Sequence, residues 1–155
     1  MGEPDLRIEP GDPLGADARA LIAELDAYLQ ALYPPASNHL MPADSLRQPG
    51  VVFLVARLDA EVAGCGALID QGGEYGELKR MYVRPGCRRA GIGVALLAAL
   101  TAYARERGLR ALRLETGIAQ PEALALYERA GFRRCAPFGA YREDPLSLFM
   151  ELPLG

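Results

Sequence analysis

The stretch Arg88-Arg89-Ala90-Gly91-Ile92-Gly93 sets two arginines and two glycines where a strand-like segment gives way to the apolar run Val94-Ala95-Leu96-Leu97. That combination suits an anion. The first backbone N–H groups of a helix lack intrahelical acceptors and lie at the positive end of its dipole. Glycines at 91 and 93 remove side chains that would hold a diphosphate away from the backbone, and Arg88 and Arg89 add charge. The competing reading is a capped turn with solvated arginines, and the stretch alone leaves both open. No Gly-Lys-Ser/Thr follows, so it is not a Walker loop, and the three spaced glycines of a dinucleotide fingerprint are missing.

The rest of the chain narrows the choice of partners. Its 155 residues carry a net charge of −3, with half of them apolar and about a quarter charged. This is ordinary for one globular domain, residues 1–155, with a full core. No general basic field exists, so nucleic acid is not the expected partner, and an acyltransferase acting on charged tRNA is disfavoured for the same reason. Cys65, Cys87 and Cys135 are odd in number and widely spaced, giving neither a metal-ligand pair nor a disulfide framework; no metal is expected. The opening segment Met1–Pro10 is acidic and broken by proline, unlike a secretory signal. Leu6 occupies the Ser/Thr place of a myristoylation site. No apolar run approaches the ~20 residues that span a bilayer. A soluble, cytoplasmic protein without a membrane partner is expected.

The elements that must position the glycine loop can be read from periodicity. Leu6–Ile8 is a short first strand. From Asp17 to Tyr33, Leu21, Ile22, Leu25, Leu29 and Leu32 recur at helical spacing, and Pro34-Pro35 ends that helix. A loop follows, then a short helix around Ala43–Arg47. Val51–Leu58 and Val62–Ile69 read as strands of a hairpin, and a third strand runs from about Glu74 to Val83. After the loop, Val94–Arg107 is helical and Gly108 stands at its capping place. Leu109–Glu115 is a strand. Pro121 suits the first turn of a second long helix, which Gly131 closes. Phe132–Phe138 and Ser147–Leu152 are the last strands. The order is α+β: a meander, then strand–helix–strand–helix–strand, giving a central mixed, mostly antiparallel sheet flanked by helices.

In that setting the segment Glu77–Leu100, "ELKRMYVRPGCRRAGIGVALLAAL", closely resembles the acyl-CoA-binding motif R/Q-x-x-G-x-G/A of the GNAT superfamily of N-acetyltransferases. Arg88, Gly91 and Gly93 occupy its defining places. A second family feature, "ALALYERAGF", lies at the expected distance downstream. The resemblance covers roughly residues 50–152. It implies the GNAT fold and acetyl-CoA as co-substrate. The backbone of Arg88, Arg89, Ala90, Gly91, Ile92, Gly93 and Val94 would then cradle the pyrophosphate of CoA. Met81, Tyr82 and Val83 would line the pantetheine and thioester, with main-chain groups of Met81 and Val83 pairing as if with an added strand. Tyr127 falls on the tyrosine of the "LYxxxGF" segment, near the CoA sulfur. Gln120 stands where the family often has an asparagine bonding the pantetheine.

The implied reaction makes demands on other residues. An alkyl amine must lose a proton before attack, which costs about 4–5 kcal/mol at pH 7 in water. Glu77, on the strand before the loop, is the candidate base, with Glu115 the runner-up. The Met81 amide is the candidate donor to the oxyanion. A phenol near pKa 10 is a weaker acid than a thiol near 8.5, so full proton transfer from Tyr127 to the departing thiolate is uphill by about 2 kcal/mol. Hydrogen-bond stabilisation is the expected role. The structural alternatives are a solvated strand residue for Glu77 and a core aromatic for Tyr127. His39, in the loop after the first helix, could titrate near neutrality beside an acceptor, or be a surface histidine. Tyr33, Asn38, Arg80 and Tyr141 are further candidates for the acceptor pocket. Cys87 sits near arginines but is expected to be a bystander, because direct amine attack needs no protein nucleophile.

Together these readings point to direct acetyl transfer from acetyl-CoA to a primary amine in a ternary complex. A small-molecule acceptor is favoured because nothing marks a macromolecular docking surface. Acetylation of protein N-termini or lysines, and a CoA-binding regulatory module without turnover, remain open alternatives. Family resemblance is also compatible with a homodimer.

Overall fold

The computed structural model describes residues 5–35, 43–88 and 90–155. The strands are β1 (Leu6–Pro10), β2 (Val51–Leu58), β3 (Glu61–Gln71), β4 (Tyr75–Val83), β5 (Ala111–Gly117), β6 (Arg133–Arg134) and β7 (Ser147–Pro153). The helices are α1 (Ala16–Leu32), α2 (Ile92–Glu106) and α3 (Pro121–Arg129). The strands form one sheet in the order β1-β2-β3-β4-β5-β7-β6, antiparallel throughout except between β4 and β5. This is the mixed, mostly antiparallel sheet that the order of elements leads one to expect.

Period-two side chains explain why helices cover both faces. On β2, Val52, Leu54 and Ala56 join a core with Leu68, Leu78, Leu112 and Leu114 beneath Ile92, Leu96, Leu97, Leu100 and Ala104 of α2. Their neighbours Phe53 and Val55 point the other way, with Cys65 and Ala67, against Ala18, Leu21, Ile22 and Leu25 of α1. The spacing in α1 is the apolar stripe visible in its sequence. Burying a leucine as fully as Leu68 or Leu112, both 0% exposed, contributes roughly 1.5–3 kcal/mol. The third helix adds Tyr127 to the α2 side.

Several boundaries differ from expectation. The second helix starts at Ile92 instead of Val94, because Ile92 is 1% exposed and already part of the core. The segment Ala43–Arg47 is a 3-10 turn. The last-but-one strand shrinks to Arg133–Arg134. One more hydrogen bond follows, from Cys135 N–H to the Phe149 carbonyl at 2.9 Å. Pro137 then has no N–H to offer, and Phe138 turns inward to stack edge-on against Tyr75, Tyr141 and Phe149. Among the described residues no helix is long and apolar enough to cross a membrane.

Candidate active site

The parallel pairing of β4 with β5 covers only Tyr75–Leu78 against Ala111–Leu114. Beyond it, β4 stays paired to β3 and β5 stays paired to β7. The facing edges of two strands are thereby left without each other, at their carboxyl ends, where open α/β sheets commonly bind ligands. Both α2 and α3 begin at this end. From β4 the chain passes through a 3-10 turn, Pro85–Cys87, to α2, and from β5 it turns at Gln120 into α3.

At the entrance, Gly91 is the N-cap of α2 with φ +75 and ψ 15, and no side chain caps the helix. A Cβ at Gly91 would meet nothing within 4 Å. This glycine is required by its left-handed backbone, and the space beside it leaves the first helical N–H groups approachable. Gly93 differs: a Cβ there would lie 3.2 Å from Leu126 Cδ2, so this glycine admits close packing of α3. The sequence suggests one role for both glycines, and the structure divides it. Arg88 donates to Glu122 Oε2 at 2.9 Å and to the Val83 carbonyl at 3.4 Å, joining the starts of α2 and α3. Ala90 and Val94 are exposed, whereas Ile92 is buried. Arg89, Asn38 and His39 lie outside the described residues.

Along the open part of β4, Met81 and Val83 pack toward α2, while Tyr82 packs toward α1. The Tyr82 hydroxyl donates to Glu24 Oε1 at 3.2 Å. Arg84 grips the same carboxylate through Nε and Nη2, and that hydrogen bonding holds the Glu24 carboxyl below its ordinary pKa. Arg80 is 8% exposed, its guanidinium paired with Asp26 of α1. On the other face, Tyr127 is 6% exposed with its ring edge-on to Phe132. Burial pushes its phenol up from the ordinary tyrosine value.

The α1 face gathers the remaining titratable groups. Glu77 is 5% exposed. Its Oε2 accepts from the Tyr141 hydroxyl at 2.6 Å and its Oε1 from the Gln71 amide at 3.1 Å. The Lys79 ammonium lies 3.7 Å from Oε2 and over the Tyr141 ring. Burial, and then the bond to the Glu77 carboxylate, push the Tyr141 phenol well up. Glu115, one residue past the last β4–β5 pair, accepts from the Ser147 hydroxyl at 2.9 Å. Its charge helps to raise both Tyr141 and Tyr33, so these groups share one electrostatic neighbourhood. The Tyr33 hydroxyl accepts from Ala119 N–H and donates to Gln120 Oε1, each at 3.1 Å. It fills the space over Gly117, where a Cβ would overlap the Tyr33 ring. Thus Tyr33 and Gln120, expected to meet acceptor and pantetheine, are bonded to each other at the turn into α3.

Asp26, Lys79, Gln71 and Glu122 carry no motif and escape a reading of the sequence. Glu122 alone leaves a signal, an acidic residue in the first turn of a helix opened by Pro121.

A model of the acetyltransferase (GNAT) family matches residues 18–132. The chain is 50% identical over 152 residues to an IAA acetyltransferase of Azospirillum brasilense, covering 97% of this chain and 99% of that one. It superposes with a TM-score of 0.82 and 41% identity on a structure from Klebsiella pneumoniae subsp. pneumoniae MGH 78578 named as an acyl-CoA N-acyltransferase, covering 97% and 98% of the two chains. An aminoglycoside 6′-N-acetyltransferase complexed with coenzyme A shares the fold at a TM-score of 0.70 and 17% identity, covering 95% and 96%. A family match across most of the chain, joined to near-complete alignment with a half-identical relative, places it: the protein is an acetyltransferase of the GNAT family.

Proposed function

We propose that the protein binds acetyl-CoA in the β4–β5 gap and transfers the acetyl group directly to a primary amine of a small molecule held in the same complex. The observation that carries this reading is the end of β4–β5 pairing at Leu78 and Leu114 beside the uncapped, left-handed start of α2. One feature supplies an unpaired strand edge for an extended chain, the other a set of amides for a diphosphate. Backbone N–H groups from Arg88 to Val94 take the pyrophosphate, and the main chain of Met81 and Val83 takes the pantetheine. The cytoplasm is the proposed place of work, in keeping with three free cysteines.

In the transfer step the amine nitrogen attacks the thioester carbon, and the carbonyl electron pair moves onto oxygen, where the Met81 amide stabilises it. Collapse of the tetrahedral intermediate re-forms the carbonyl and expels the CoA thiolate. A carboxylate takes the proton that the amine loses. Of the two candidates, Glu77 stands within the paired part of β4 and is sealed by Tyr141, Gln71 and Lys79. Glu115 stands past the last pair, half-buried beside the gap, and is the base in this reading. Tyr127 donates a hydrogen bond to the leaving sulfur. Its raised pKa makes outright proton transfer still more uphill than for an ordinary phenol.

A thiol-release assay with acetyl-CoA and a panel of amines tests the reading. Intersecting initial-velocity lines and a larger loss of kcat in Glu115→Gln than in Glu77→Gln are expected. Parallel lines with an isolable acetyl-enzyme would contradict direct transfer. No release with any amine, alongside undiminished acetyl-CoA binding, would leave a CoA-binding module instead.

A further inference from the structure

The outer half of β4 contains a brace around one peptide group, and its significance rests on the reading of the gap as the acetyl-CoA site. Between Cys65 and Ala67 the register of β3 and β4 slips. Lys79 faces Ala67 and Tyr82 faces Cys65, so Arg80 and Met81 together oppose Gly66. Such a bulge re-aims the backbone of the strand that carries the extra residue. Arg80 takes φ +58, a left-handed conformation that a residue with a Cβ disfavours.

Two contacts and one glycine hold it there. The Arg80 guanidinium is paired with Asp26 of α1. The Cys65 thiol donates to the Arg80 carbonyl at 3.2 Å. At Gly66 a Cβ would lie 2.5 Å from Met81 Sδ, so that glycine makes the room the Met81 side chain occupies. Cys65 is 0% exposed, and burial pushes its thiol up to about 12, which keeps it a donor.

The consequence falls on the next atom pair. The Arg80 C=O and the Met81 N–H belong to one planar trans peptide and point in opposite directions. Cys65 draws the oxygen toward β3 and the α1 face, so the Met81 N–H is turned away from β3, toward the side where β5 no longer pairs. We propose that Cys65 and Asp26 are positioning residues for acetyl transfer, fixing the Arg80–Met81 peptide so that the Met81 N–H meets the oxygen of the tetrahedral intermediate. Neither residue touches substrate. A purely structural role lowers stability and leaves the kcat of folded enzyme alone; a positioning role lowers kcat and leaves acetyl-CoA affinity alone.

The experiment compares full-length Cys65→Ala, Cys65→Ser and Asp26→Asn with wild type by steady-state thiol release, calorimetric acetyl-CoA binding and thermal unfolding. Asp26→Asn should lower kcat about 10-fold and Cys65→Ala about 5-fold, with the acetyl-CoA Kd within about twofold, as expected for a donor felt mainly in the transition state. Cys65→Ser, which keeps a donor of similar size, should recover most of the loss. Unchanged kcat in both single variants, or a loss that serine does not recover, overturns the proposal. Should those variants fail to fold, Cys65→Val decides: it fills the buried position without a donor to the Arg80 carbonyl, so a stable protein with unchanged kcat also overturns the proposal. If wild type binds no acetyl-CoA, the reading of the gap falls and this inference with it. If wild type binds and turns over while the variants are indifferent, this inference falls alone.

Discussion

The inner half of β4, Tyr75–Leu78, is hydrogen-bonded to β3 on one side and β5 on the other. The outer half, Lys79–Val83, keeps only β3. Inner side chains close the core: Leu78 is 3% exposed, and a Cβ on Gly76 would run into Leu68, Leu109 and Leu112. Outer residues give up that density for a bulge, a left-handed arginine and an unpaired edge. One strand therefore anchors the sheet below and offers its backbone above, and the change happens within a single residue step. Stability and chemistry are separable along it, and that separation can be attacked from either end.

The largest effect should come from the anchoring half. Leu112→Ala, at a 0% exposed position opposite Gly76, should cost about 3 kcal/mol of stability through lost burial and a residual cavity. Denaturant unfolding would show it, with KM for acetyl-CoA unmoved; a matching rise in KM would blur the two halves. Next, Tyr127→Phe should lower kcat about 10-fold with little change in KM, the size of one hydrogen bond to a charged leaving group. Because burial raises the Tyr127 pKa, its proton is retained through pH 10. The alkaline side of the kcat profile should therefore show no loss attributable to this tyrosine below that pH.

Smaller effects test the rim. Glu122→Gln frees Arg88 from its carboxylate partner and should lower KM for acetyl-CoA about two- to threefold, in line with the modest strength of an exposed pair. A rise in KM would mean that the pair orders the entrance instead of competing with the diphosphate. Glu24→Gln should matter least. The Glu24 carboxyl is lowered by Arg84, so its contribution is present above the ordinary carboxylate pKa and fades as pH falls through the lowered one. At 39% side-chain exposure that contribution is a few tenths of a kcal/mol after solvent screening, read as a slightly shallower acid limb of stability in the variant.

How much of this was legible depends on whether a feature is local. The stripe Leu21, Ile22, Leu25, the stop at Pro34 and the glycine loop are written in neighbouring residues, and the elements follow them. The split of β4 from β5 is not local, because it depends on where the pairing of two strands about 35 residues apart runs out. Nothing near Arg80 announces a bulge: the slip arises from the meeting of Gly66, Cys65 and Asp26 across α1, β3 and β4. The roles of the two loop glycines were equally hidden, since only the approach of Leu126 from α3 separates Gly93 from Gly91. Glu77 reads in sequence as a candidate base or a solvated strand residue, and the fold closes it off because Tyr141 arrives from a loop more than sixty residues away.

The unpaired end of β4 and the left-handed start of α2 are proposed to form one acetyl-CoA site. Calorimetric titration of acetyl-CoA into wild type and Gly91→Val tests it most directly. Valine is strained at φ +75 and places methyl groups over the helix start, in space that is otherwise open. One site per chain in wild type and a loss of affinity of about 100-fold or more in the variant, with its fold intact by circular dichroism, is the predicted result. Equal affinity in the two proteins would contradict the account.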